Sequence, residues 1–191
     1  MIARISHIST FSSVAREHLR TLLLAEENLD KVKNDEEKYL LEEIVSKDAM
    51  IVILFSATAL EAYIYDYAAR YFSDSFVRNY IDKLDIIGKW VLIPRLITGK
   101  ELPRDREWFF LLKEIIRKRN KLTHHKSSEI PSRVEYAKKH VEKLHDEGEQ
   151  MIRMAKESIR LLDMVVDVIT ENNPNEYPWV ETYFRKLDIE E

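Results

Sequence analysis

Residues able to act together chemically are concentrated in one stretch of this chain, Ile116 to Lys126, IRKRNKLTHHK. It carries a guanidinium at Arg119, a carboxamide at Asn120 and an imidazole at His124. An imidazole ordinarily titrates at about pH 6.5, so it can take or give a proton near neutrality. A guanidinium stays charged and can fork onto two oxygens of a phosphate. Together they suit proton transfer beside a phosphate whose charge builds as it reacts. Arg117, Lys118, Lys121 and Lys126 surround the motif, and Arg133, Lys138 and Lys139 follow. This is a local basic patch in a chain of net charge −4, and phosphate binding would draw on it. The same cations would also sit favourably at a helix C-terminus.

The element that must position these groups is a helix. Trp108, Leu111, Leu112, Ile115, Ile116 and Leu122 recur at the spacing of one helical face. At about 100° per residue, Arg119 falls in the middle of the stripe formed by Trp108, Leu112, Ile115 and Ile116. A charge there is costly unless it is paired or faces a cleft or an interface. Glu61 is the candidate partner, four residues after Ala57 and seven after Leu54 on an otherwise apolar segment. Two lone charges on two apolar faces can satisfy each other as a bidentate pair. Arg119 and His124 are five positions apart, about 140° on a continuous helix. One copy can aim both at one phosphate only if the helix ends before His124. A two-fold interface eases this constraint, so the spacing points to a homodimer. Asn120 and His124, four apart, share a face.

Arg119-Asn120-Lys121-Leu122-Thr123-His124 reads as arginine, a polar residue, three variable residues and histidine, at the end of a late helix. This resembles the motif of HEPN domains. The phrase LFSATALEAYIYDYAARYF on an earlier helix is also similar to what HEPN-like chains carry there. The resemblance spans about residues 10–170. It implies an all-α, up-and-down bundle of about four to six helices, and a metal-independent endoribonuclease acting as a dimer, often a toxin or defence effector. His124 would then handle the proton of the RNA 2′-hydroxyl or of the leaving 5′-oxygen. Arg119 would hold the scissile phosphate, and Asn120 would orient His124 or the phosphate. Arg117, Lys118, Lys121 and Lys126 would bind RNA, with Glu61 in support. The product would be a 2′,3′-cyclic phosphate. A toxin would bring an antitoxin protein as a further partner. The rival reading is a non-catalytic HEPN-like dimer serving in assembly or regulation.

The rest of the sequence sets the frame. Of 191 residues, 45% are hydrophobic and 34% charged, with three glycines and five prolines. Few breakers and much charge favour amphipathic helices in one domain. The absence of cysteine excludes disulfides and thiolate metal sites, and it suits a reducing, cytoplasmic setting. The N-terminal stretch lacks the long apolar core of a signal peptide. Ala49 to Leu60 is uncharged but too short to span a bilayer, so no membrane association is expected. Adjacent His124 and His125 diverge, and His140 and His145 have no partner at ligand spacing, so neither metal nor cofactor is expected. Helices are expected from Thr10 to Leu29, from Glu36 to Tyr71, from Ser73 or Asp74 to Ile81, and from Asp85 to Ile97 with an interruption at Pro94. Another should carry Pro103 in its first turn and fade near His124. A last long helix should start between Pro131 and Gly148 and end near Thr170. Residues 1–171 would form the HEPN-like domain. Residues 172–191 would form a tail whose Tyr177, Trp179, Tyr183 and Phe184 pack on the body or on a partner.

Overall fold

A helix that is apolar nearly all round must be covered on several sides, and this dictates the architecture. The computed structural model describes residues 6–29, 31–124 and 133–185, with side chains at all of these except 133–145. The fold is all-α, with no strand among the described residues. Helix α2 (Asp35–Tyr71) runs through the centre and buries Val52, Ile53, Ala57, Leu60, Tyr63 and Ile64. It starts where Asn34 Oδ1 accepts the Glu36 N–H at 2.9 Å, with Asp35, Glu36 and Glu37 against the positive end of its dipole.

Helix α1 (Ile8–Leu29) lies antiparallel to α2, pairing Phe11 with Phe55 and His18 with Asp48. The short α3 (Asp74–Phe76) runs into a π-helical turn, Val77–Ile81. Helix α4 (Ile86–Thr98) begins at Asp85, whose carboxylate accepts the Gly88 N–H at 2.6 Å. It ends at Gly99, whose φ of 75° supplies the left-handed cap. The expected interruption at Pro94 does not occur. The helix passes through it, because burial of Trp90 and Ile93 on that face offsets the backbone hydrogen bond that proline forgoes.

Helix α5 (Glu107–Thr123) begins four residues after Pro103, so the proline is not in its first turn. It acts instead as an acceptor: its carbonyl takes the Trp108 indole N–H at 2.7 Å and fixes the entry of the chain. Helix α6 (Arg133–Asn172) runs antiparallel to α5 and α1, with ion pairs Arg106–Glu171, Arg160–Glu107 and Lys156–Glu26 across the seams. A 3₁₀ turn, Pro174–Glu176, leads into α7 (Tyr177–Phe184), which buries Val180 and Phe184 on the body. Among the described residues, no helix is long and apolar enough to cross a membrane.

Candidate functional site

Helix α5 presents Trp108, Leu112, Ile115 and Ile116 to the core, and Arg119 is the next residue along that buried face. Its aliphatic stem follows the apolar stripe while its head reaches the rim, so the side chain is 23% exposed. There Nη2 donates to Glu61 Oε2 of α2 at 2.8 Å. The spacing suggested a two-pronged fork, but only one hydrogen bond forms. Nε is buried and has no acceptor. The guanidinium is therefore pinned on one edge and under-satisfied on another.

The helix ends in time to change the aim of His124. Thr123 is its last residue, and its hydroxyl donates to the Arg119 carbonyl at 3.0 Å. The His124 N–H still bonds the Asn120 carbonyl at 3.0 Å, but its φ is −112° and its ψ 29°. Relative to a helical φ of about −63°, this swings Cβ about 50° around the N–Cα bond. His124 and Asn120 are both exposed, and no hydrogen bond joins their side chains among the described residues.

The surrounding cations divide into two kinds. Arg117 and Lys121 are exposed, and Lys118 is half-buried. Burial first, then repulsion from Lys121 and Arg117, holds the Lys118 ammonium below the usual lysine range, although Glu147 of α6 pulls the other way. This end of α5 thus carries more positive charge than its neighbours neutralise. Lys126 and His125 lie outside the described residues, as do the side chains of Arg133, Lys138, Lys139, His140 and His145.

Two polar clusters escaped the sequence reading. Arg70 of α2 is half-buried and grips the carboxylates of Asp66 and Glu176, both buried, with the Trp179 ring centroid 5.3 Å from its guanidinium carbon. It ties the end of α2 to the start of the tail. Asp48, which is buried, lies with Oδ1 2.9 Å from His18 Nδ1 and accepts its N–H, while its other oxygen has no partner. The signal for both was a charge set into the apolar central helix, the same kind that marked Glu61. Comparisons with protein-family models, with curated proteins and with solved structures found no match.

Proposed function

We propose that this chain is an endoribonuclease of the HEPN type, acting as a homodimer. The observation that carries the reading is Arg119, a permanent cation on the buried face of α5, pinned at 2.8 Å by Glu61 five positions before an exposed histidine that caps the helix. In the proposed reaction a neutral imidazole at His124 takes the proton of the RNA 2′-hydroxyl. The 2′-oxygen bonds to phosphorus, the bond from phosphorus to the 5′-oxygen breaks, and the imidazolium so formed returns its proton, directly or through a water, to that oxygen. The products are a 2′,3′-cyclic phosphate and a 5′-hydroxyl. Arg119 balances charge on the phosphate oxygens, and Glu61 orients Arg119. The nucleophile belongs to the substrate, so the scheme draws on no metal ion.

One observation favours the non-catalytic alternative: the Glu61 carboxylate already occupies the guanidinium edge that a phosphate would use. RNA cleavage by purified protein in chelator decides between them, with His124→Ala and Arg119→Ala alongside. Wild-type cleavage to a cyclic phosphate, lost in both variants, is the expected result. Equal cleavage by all three chains would end the assignment and leave a dimeric interaction module. Growth arrest on expression, relieved by the same substitutions, would place the protein among toxins and motivate a search for a neutralising partner in the cytoplasm.

A further inference from the structure

The outward face of α5 carries an arrangement that the motif does not need. Phe110 is 54% exposed on a helix whose opposite face is buried from Trp108 to Ile116. At about 100° per residue, Lys113, Arg117 and Lys121 all fall within about 60° of it, and His124 follows where the helix ends. All four are exposed. The Lys113 ammonium lies 4.8 Å from the Phe110 ring centroid, so a flat apolar surface and a cation stand side by side. Five surface arginines, Arg95, Arg104, Arg106, Arg160 and Arg185, are each held by a carboxylate, whereas Arg20 and Arg78 are exposed and in no such pair among the described residues. Arg117 and Lys121 have no such partner among the described residues. Only Glu114 adds negative charge between Phe110 and His124.

We infer that this face is a track for single-stranded RNA, on which Phe110 stacks an unpaired base while Lys113, Arg117 and Lys121 follow the phosphates toward His124. A nucleotide displays a flat base beside an anionic group, which is the complement of the Phe110–Lys113 pair. A base can stack on an isolated phenyl ring only if it is unpaired, so the track selects single strands over duplex. From Phe110 to His124 the helix rises about 21 Å, room for several nucleotides of an extended strand. Lys118, held below the usual lysine range first by burial and then by repulsion from Lys121 and Arg117, lies at the same end of the track. The inference deepens the ribonuclease reading and rests on it.

The test uses the wild-type chain and a fluorescent 2′-O-methyl oligoribonucleotide, which binds but cannot be cut. Single strand should bind more tightly than the same sequence in a duplex. Phe110→Ala should weaken single-strand binding by about fivefold or more, Phe110→Leu similarly, and Phe110→Trp should restore it. Removing Arg117 or Lys113 should lower the slope of log affinity against log salt by about one. Because Phe110 is exposed, these variants keep the fold, which circular dichroism checks. Unchanged affinity in Phe110→Ala, or equal binding of duplex, would overturn the track. If wild-type protein still cleaves RNA in chelator, the nuclease reading survives that result. Loss of dimer mass in Phe110→Ala with binding per chain intact would show instead that this face meets protein. No binding and no cleavage by wild-type protein would remove both proposals.

Discussion

Deleting the Glu61 carboxylate tests the geometry on which the site depends, whether or not the protein cuts RNA. Glu61 is 45% exposed and Arg119 23%, so the pair lies between the surface and the buried regimes. Exposed pairs contribute about 0–1 kcal/mol, whereas breaking a buried pair costs about 3–5 kcal/mol. Arg119 already has a buried Nε without an acceptor. Glu61→Ala takes away the Nη2 acceptor as well, so a cost of about 2 kcal/mol is expected, the range for hydrogen bonds to charged groups. In a domain of this size that lowers Tm by about 4–8 °C. Arg119→Met should cost less, because methionine keeps the stem packed and the freed carboxylate returns to water. A double-mutant cycle should return a coupling of about 1 kcal/mol. Urea and thermal unfolding of the wild type, Glu61→Ala, Arg119→Met and the double variant supply the four values. Under the proposed function, Glu61→Gln should lower kcat with little rise in KM, since it loosens the aim of Arg119 without removing the cation. Coupling below about 0.3 kcal/mol, together with an unchanged kcat, would refute the idea that Glu61 positions Arg119.

Three further outcomes follow from the same structure. The Tyr63 hydroxyl is buried without a partner, and burial raises its pKa well above 10.0; its contribution is full below pH 10 and is lost as pH rises through the folded-state value, so Tyr63→Phe should resist alkaline unfolding better, followed by circular dichroism, and should be neutral or stabilising by about 1 kcal/mol at pH 7. Arg70→Met should destabilise by about 3–5 kcal/mol, since Asp66 and Glu176 lose the guanidinium between them, and limited proteolysis should then cut within residues 173–184. Lys118 is depressed, so the unfolded chain binds its proton more readily and stability rises with pH as the group deprotonates below 10.5; Lys118→Gln should raise Tm at pH 7 while weakening RNA binding.

The fold was legible where one pattern was long enough to dominate. The apolar run from Met50 to Leu60 placed α2 at the centre, and the stripe from Trp108 to Ile116 placed α5. Proline was misread twice, since sequence shows its backbone penalty but not what compensates it. At Pro94 the compensation is burial of the helix face, and at Pro103 the carbonyl serves as acceptor for Trp108. Eight-residue α7 is hidden within the tail, because two turns give too little periodicity to mark a helix. Within the site, Arg119 and Glu61 could be matched because each was a lone charge on an apolar face. Arg70 could not, because its second carboxylate, Glu176, comes from 106 residues further along the chain.

The directions of Arg119 and His124 carry a last consequence. On α5, Arg119 points about 180° from Phe110, into the seam with α2, while His124 leaves on the outward side. A strand lying on the outer face of one copy would meet that copy's His124 but not its Arg119. The proposed site then needs Arg119 from one copy and His124 from the other, which makes it composite across a two-fold interface. Chains bearing only Arg119→Ala or only His124→Ala should each be inactive alone. Mixed and allowed to exchange subunits, half of the dimers should pair one of each kind, and one of their two sites would be intact. About a quarter of wild-type cleavage should therefore return. The assay is cleavage in chelator against mixing ratio, with mass photometry to verify exchange. If exchange occurs and no activity returns although the wild type is active, both groups act from a single copy, and the swing of His124 at the helix end must do the work assigned to the dimer.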